Sequence, residues 1–238
     1  MAIGWLAAVT AGQHPSRRQQ AIELLVFLLL IVPSMVFSFG AVEAEDLSFR
    51  TVASASIVRD LALLALVLYF IFANREPLQS IGWRAPRLWR EIGVGAALFL
   101  PLYLTVGFLG AILQQAGLSG MDEPPAYLTP AGAPEYALAV LFLMVVAVAE
   151  ETIFRGYLLL RIGALTRNPT LALLLSALIF SIGHGYQGGA GVIAVGVLGL
   201  LYGVIYLWRG SLVAPITLHL LQNATGVLLA PLMESYWT

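Results

Sequence analysis

Long apolar stretches recur along this 238-residue chain, separated by short polar segments. Several of them reach about 18 residues, the length at which an α-helix crosses roughly 30 Å of hydrocarbon. We therefore predict an all-α, polytopic transmembrane bundle of about seven to eight helices, with residues 1–238 forming a single membrane domain. The predicted crossings are 21–39, 56–73, 91–113, 136–160, 169–186, 190–208 and 212–230.

The composition excludes several classes of protein. Hydrophobic residues make up 60% of the chain and charged residues 11%, as expected when a bilayer is the solvent. The formal net charge of −1 leaves no basic surface for nucleic acid. Because the chain has no cysteine, it has neither disulfides nor a thiolate nucleophile or metal ligand.

Positive charge is concentrated at one end of the predicted helices. Nine arginines fall there, namely Arg17, Arg18, Arg75, Arg84, Arg87, Arg90, Arg161, Arg167 and Arg209. Arg50 alone falls at the other end, together with the acidic residues Glu43, Glu45, Asp46, Asp122, Glu123, Glu135 and Glu234. Arginine-rich loops stay in the cytoplasm, so we predict a multi-pass protein with a cytoplasmic N-terminus and an external C-terminus.

Two further features bear on location. The chain is small, and its lysine and arginine positions are all arginine, which indicates a bacterial or archaeal cytoplasmic membrane. The N-terminal apolar piece, residues 1–9, precedes the first arginines, the reverse of the order in a cleaved signal peptide. We therefore expect no cleaved signal peptide.

Charged side chains interrupt the apolar run 137–160. Glu150, Glu151 and Arg155 lie in its middle, where each charge costs about 2.5–3.5 kcal/mol on insertion scales, so such residues usually mark a site. Glu151 and Arg155 are four residues apart and are predicted to pair on one helix face. Glu150 is then left free to act as a general base.

Two of the three histidines, His184 and His219, lie in other apolar runs. Phe180 and His184 are four residues apart, as are His219 and Asn223, so each pair shares a helix face. A carboxylate, two imidazoles and an amide, with no nucleophilic hydroxyl paired to a base, suit activation of water and stabilisation of an oxyanion. The same histidines with a glutamate are also a plausible zinc site, although the HExxH signature of metalloproteases is absent.

Three blocks in series resemble those of a known family. They are EETIFRGY from Glu150, FSIGH ending at His184, and HLLQN from His219, all within a motif-bearing core of about residues 136–230. In order and spacing they resemble the CAAX prenyl protease and bacteriocin-processing family of intramembrane proteases, also called the type II CAAX protease or Abi family. One block alone is weak evidence for this family, whereas three blocks in the same order are specific to it.

The resemblance implies an intramembrane endopeptidase that cleaves membrane-associated or hydrophobic protein substrates. It implies that Glu150 and His184 activate water, while His219 and Asn223 hold the oxyanion. It also implies that Glu151, Arg155 and Phe180 support these residues. We expect the partners to be such a substrate and the lipid bilayer, with no nucleic acid, and we expect no cofactor or metal. In a bacterium or archaeon, a prenylated CAAX protein is not the expected substrate.

Other functions remain open. A catalytically silent scaffold or immunity protein of the same fold is one alternative, and a zinc-dependent membrane protease that uses the same residues is another. A transporter also buries carboxylates and histidines, but the chain shows no inverted repeat and its polar residues gather in the C-terminal half. Arg59 and Asp60 are interpreted as a structural pair near the outer end of the second crossing, where an arginine snorkels to the interface.

Overall fold

The computed structural model describes residues 15–37, 47–85, 87–118 and 126–229, and within these ranges it contains helices and no strand. The helices are α1 Arg17–Phe37, α2 Phe49–Ala73, α3 Leu88–Gln115, α4 Gly132–Thr166, α5 Pro169–Ile182, α6 Gly188–Arg209 and α7 Val213–Ala224. The predicted all-α bundle is thereby confirmed. The apolar piece 1–9 and all the predicted outer acidic residues except Glu135 lie outside the described residues.

Five of these helices, α1, α2, α3, α4 and α6, are long and apolar enough to cross a membrane. Large apolar side chains such as Leu29, Phe72, Leu104, Phe108 and Met144 stand exposed on their outer faces. An apolar exterior of this kind is what lipid solvates, whereas a water-soluble helix presents polar residues there. The protein is therefore a multi-pass membrane protein.

Of the last predicted crossings, one is shorter than predicted and another agrees closely with its predicted bounds. The crossing predicted at 169–186 corresponds to α5, whose 14 residues end at Ile182 and span about 21 Å. The crossing predicted at 212–230 corresponds to α7, which continues after Ala224 as a π-helical turn, Thr225–Leu229. In α5 the stop is local, because Gly183, Gly185 and Gly188 follow the last helical residue and glycine disfavours helix continuation.

Helix α4 is the centre of the bundle. Its α-helical ends enclose a π-helical segment, Glu151–Leu158, in which all eight residues are buried. The Ser176 hydroxyl on α5 donates a hydrogen bond of 2.7 Å to the Phe154 carbonyl of this segment. A Cβ at Gly156 would lie 2.6 Å from the Ile81 carbonyl oxygen, so only glycine admits that close approach. Single π turns often occur at functional sites.

Buried ion pairs join the helices at the arginine-rich end. Arg161 on α4 donates to both carboxylate oxygens of Glu76, just after α2, at 2.9 and 2.5 Å, and lies 3.3 Å from Glu23 on α1. Arg209 at the end of α6 donates to both oxygens of Glu91 near the start of α3, at 2.9 and 2.6 Å. These contacts bring together the helix ends that the predicted up-and-down arrangement places on one side.

The opposite end has its own ion pair. Arg50 near the start of α2 donates from Nε to Glu135 near the start of α4 at 2.8 Å. Helix α2 packs along the first part of α4, α5 along its last part, and α7 against both α3 and α4. The middle of α4 is consequently enclosed by α1, α2, α5, α6 and α7.

Candidate active site

A cavity of about 310 Å³ lies against the middle of α4. Much of its wall is apolar, with side chains from α1, α2, α4 and α5. Its polar and charged lining comprises Ser34, Ser56, Arg59, Asp60, Tyr127, Glu150, His184, Tyr186, Gln187 and Asn223. Three predicted catalytic residues, Glu150, His184 and Asn223, therefore share one cavity.

Glu150 is the last residue of the first α-helical part of α4. Its Oε2 atom is buried and has no hydrogen-bond partner among the described residues. The Nε2 atom of His219 lies 3.7 Å from that oxygen, beyond hydrogen-bond length. The side chain is 15% exposed, and its other oxygen, Oε1, accepts no hydrogen bond from a described residue either, so Oε1 is the atom that a water molecule in the cavity can reach.

Glu151 points the other way and is fully buried. One of its oxygens, Oε1, accepts a hydrogen bond from Arg155 Nη1 at 2.8 Å and one from His219 Nδ1 at 2.8 Å. Arg155 is also 3.4 Å from the Gly199 carbonyl through Nη2, and its guanidinium lies 4.3 Å from the centre of the Phe180 ring. The i,i+4 pair predicted from the sequence is present, and it also holds His219.

His219 lies on α7, behind the cavity wall, with 4% of its surface exposed. A carboxylate only accepts hydrogen bonds, so Nδ1 carries the proton that is shared with Glu151. In the neutral ring Nε2 is then an acceptor, and it becomes a donor when the ring is an imidazolium.

His184 lies just beyond the end of α5, not inside a crossing as predicted. Its Nδ1 lies 3.0 Å from the Phe180 carbonyl, which can only accept, so Nδ1 carries the proton and Nε2 keeps its lone pair. The Phe180 ring packs against His184 with centroids 4.8 Å apart and stands edge-on to His219 at 6.2 Å. Phe180 thereby contacts both imidazoles, one on the turn after α5 and the other on α7.

Asn223 lies one turn after His219 on α7, two residues before the π-helical turn begins at Thr225. Its side chain lines the cavity, and its amide has no hydrogen-bond partner among the described residues. An unoccupied amide N–H in a cavity with a free carboxylate is the type of donor that an oxyanion requires.

Several polar residues of the cavity wall were not predicted as site residues, among them Arg59, Asp60, Tyr186 and Gln187. Arg59 and Asp60 were placed at a helix end because the second crossing was predicted to begin at residue 56. Helix α2 begins at Phe49, with Ser48 as its N-cap, so the pair lies about three turns inside. Tyr186 and Gln187 form a short 3₁₀ turn after His184, where Gln187 Nε2 donates to the Tyr186 hydroxyl at 3.2 Å.

The side chains of this site also bear on the zinc alternative. Among the described residues, no three histidine, aspartate or glutamate side chains are grouped so as to hold a metal ion. Both ring nitrogens of His219 lie near glutamate oxygens, 2.8 Å from Glu151 and 3.7 Å from Glu150.

The part of the chain that carries these residues matches the model of a known protein family. A family model described as type II CAAX prenyl endopeptidase Rce1-like matches residues 132–225, the stretch from the start of α4 to just past Asn223. No curated protein and no solved structure gives a significant match to the chain.

Proposed function

We propose that this chain, whose residues 132–225 match the family model of Rce1-like type II CAAX prenyl endopeptidases, is a protease that cleaves peptide bonds of hydrophobic or membrane-associated proteins within the bilayer. The observation that carries this proposal is the Glu150 carboxylate, which lines a cavity inside a membrane bundle and accepts no hydrogen bond from a described residue. A carboxylate held there without a hydrogen-bond donor requires a functional reason.

In the proposed reaction Glu150 activates a water molecule. The water oxygen attacks the carbonyl carbon of the scissile bond, and the proton it releases passes to the Glu150 carboxylate. His184 accepts a hydrogen bond from the same water at Nε2, since Nδ1 is already engaged by the Phe180 carbonyl. When the tetrahedral intermediate collapses, Glu150 returns the proton to the leaving amine nitrogen, and the carboxylate is regenerated.

The negatively charged oxygen of the tetrahedral intermediate is stabilised by hydrogen-bond donors. Asn223 supplies an amide N–H that donates to no acceptor among the described residues. His219 supplies the second donor from Nε2 as an imidazolium, whose charge the fully buried Glu151 balances. Arg155 keeps Glu151 in place, so the pair acts on the reaction through the orientation and charge of His219.

The test uses purified protein in detergent and a quenched hydrophobic peptide. Wild type should cleave it, and both Glu150→Gln and His184→Ala should lose cleavage while remaining folded, because these changes remove water activation and little packing. Glu135→Gln is the matched control, since Glu135 is a helix glutamate at the far end of α4 outside the cavity. Near-wild-type turnover in Glu150→Gln would overturn the assignment.

For orientation, we propose that the arginine-rich end, and with it the N-terminus, lies in the cytoplasm of a bacterial or archaeal cell membrane. The wall of the cavity includes Leu47 before α2, and Tyr127 and Leu128 before α4. These residues lie at the arginine-poor end, which also holds the Arg50 pair. In this orientation the substrate reaches Glu150 from the external half of the bilayer.

A further inference from the structure

Exposed tryptophan and arginine side chains lie together at the arginine-rich end of the bundle, on α3, α6 and the segment before α3. Trp89 in the first turn of α3 is 82% exposed, Trp208 in the last turn of α6 is 64% exposed, and Trp83 before α3 is 41% exposed. We call this surface the interfacial patch, and it comprises Trp83, Arg84, Arg87, Trp89, Arg90 and Trp208. None of these residues lines the cavity that holds Glu150.

An ion pair between α3 and α6 holds the patch together. Arg209 donates to both carboxylate oxygens of Glu91, so the first turn of α3 and the last turn of α6 lie at the same level. The Arg209 guanidinium also lies 4.8 Å from the centre of the Trp208 ring. Trp89 and Trp208 therefore stand on neighbouring helix ends, where two membrane-spanning helices stop.

The segment before α3 is fixed to the turn that follows α6. The Ser211 hydroxyl donates a hydrogen bond to the Arg84 carbonyl at 2.6 Å, and the Leu212 N–H donates to the Gly82 carbonyl at 3.1 Å. In the other direction, Arg84 donates from Nε to the Gly210 carbonyl. Because three hydrogen bonds hold this segment in place, less entropy is lost when a ligand binds to it.

Three arginines of the patch have no acidic partner among the described residues. The side chains of Arg87 and Arg90 are exposed and make no hydrogen bond or ion pair with a described residue. Arg84 uses its Nε for a backbone carbonyl, which leaves both terminal nitrogens without a described partner. Glu91 is already paired with Arg209. The patch therefore presents a net positive charge to a neighbouring molecule.

Apolar side chains surround these charges. Leu78 and Leu88 are exposed beside the arginines, and the outer faces of α3 and α6 continue from the patch with exposed residues such as Leu100 and Val204. Tryptophan is enriched where the hydrocarbon of a bilayer meets its headgroups, and arginine binds phosphate with its planar fork. Phosphate next to acyl chains is the chemistry of a phospholipid. An acidic protein or a nucleic acid would match the charge and leave the apolar side chains in water.

We infer that the interfacial patch binds an anionic phospholipid of the leaflet at the arginine-rich end. Arg84, Arg87 and Arg90 bind its phosphate headgroup, and the tryptophans contact the upper part of its acyl chains. Phosphatidylglycerol, which carries a net negative charge, should bind more tightly than phosphatidylcholine, whose choline cation the arginines repel. The inference does not depend on the proposed proteolysis.

Tryptophan fluorescence reports on this surface directly. Of the five tryptophans in the chain, three belong to the patch, and Trp5 and Trp237 lie outside the described residues. The full chain with Trp5→Phe and Trp237→Phe is reconstituted in phosphatidylcholine vesicles. These contain increasing fractions of phosphatidylglycerol or phosphatidylcholine with brominated acyl chains, which quench nearby tryptophan. The relative binding constant should favour phosphatidylglycerol by about 10- to 100-fold, because each arginine near such a surface contributes about fivefold.

The variants identify the source of the preference. The triple variant Arg84→Gln, Arg87→Gln, Arg90→Gln should bind the two lipids about equally. Since Arg84 also holds its segment in place, the double variant Arg87→Gln, Arg90→Gln covers the case in which the triple variant does not fold, and it should lower the preference at least about fivefold.

The matched control removes three other exposed arginines from the same end of the bundle, none of them next to a tryptophan in the sequence. It is the triple variant Arg18→Gln, Arg75→Gln, Arg167→Gln, and it should keep the full preference. Glu150→Gln should also keep it while losing proteolysis, which separates this site from the proposed function.

Three results would overturn the inference. One is equal quenching by the two lipids in the wild type, or an unchanged preference in both arginine variants of the patch. Another is a preference that the matched control loses equally, because the charge of the whole helix end would then be its source. The last is relief of the quenching by inorganic phosphate as complete as that by unbrominated phosphatidylglycerol, which would make the patch a site for free phosphate.

Discussion

Replacing Glu151 with glutamine removes the carboxylate that Arg155 and His219 share. Arg155 is 2% exposed, and its remaining polar contact is the Gly199 carbonyl at 3.4 Å, so its charge would be buried without a counter-ion. Breaking a buried pair in this way typically costs about 3–5 kcal/mol. For a chain of this size, 1 kcal/mol corresponds to about 2–4 °C, so we expect the midpoint of thermal unfolding to fall by roughly 6–20 °C.

The neighbouring glutamate supplies the comparison. Glu150 makes no hydrogen bond to a described residue, so Glu150→Gln should lose proteolysis with little change in the midpoint, which scanning fluorimetry in detergent measures for both variants. The double variant Glu151→Ala, Arg155→Met removes both charges and should recover much of the lost stability, because apolar replacement of a buried pair is often neutral. It should remain inactive, since His219 has lost its partner.

Two results would refute this reasoning. A stable but inactive Glu151→Gln protein would mean that Glu151 acts in the chemistry and that the two glutamates have been assigned the wrong way round. A double variant that is no more stable than Glu151→Gln would mean that the uncompensated charge of Arg155 is not the source of the loss.

The remaining predictions concern the oxyanion, the metal and the orientation. Asn223→Ala should lower kcat by about 100- to 1000-fold with little change in KM. Proteolytic activity should survive prolonged chelation. If chelation abolishes the activity and about one zinc per chain restores it, the metal-free mechanism is wrong, although the protein is still a hydrolase. Because the chain has no cysteine, single-cysteine variants show on which side of the membrane a residue lies. Ala131→Cys should react with an impermeant maleimide on intact cells, and Thr170→Cys should not. The reverse pattern would mean that the orientation is opposite to the one proposed.

Local spacing was enough to predict part of the site. The pairing of Glu151 with Arg155 follows from a separation of four residues, whatever the rest of the fold does. The contact between His219 and Glu151 does not follow in this way. These residues are 68 positions apart, and they meet only because α7 packs against the first α-helical part of α4, beside the residue at which its π-helical segment begins.

Helix boundaries account for the other differences. The apolar pattern predicted the second crossing from residue 56, whereas the Ser48 cap starts α2 at Phe49, which moves Arg59 and Asp60 from the end of a helix to its interior. For His184, the glycines after Ile182 end α5 early and place the imidazole on a turn. Both cases show that a hydrophobicity pattern locates a helix better than it locates the helix ends.

The short α5 has a consequence for the surrounding lipid. Its outer face carries the exposed Leu171, Leu174 and Leu178, yet the helix spans about 21 Å against roughly 30 Å of hydrocarbon. Lipid next to a short helix thins to match it, at a cost of a fraction of a kcal/mol per Å. Headgroups and their hydration are thereby drawn inward beside the turn that carries His184. Hydrophobic mismatch would in this way deliver the water that a hydrolase buried in a bilayer must consume.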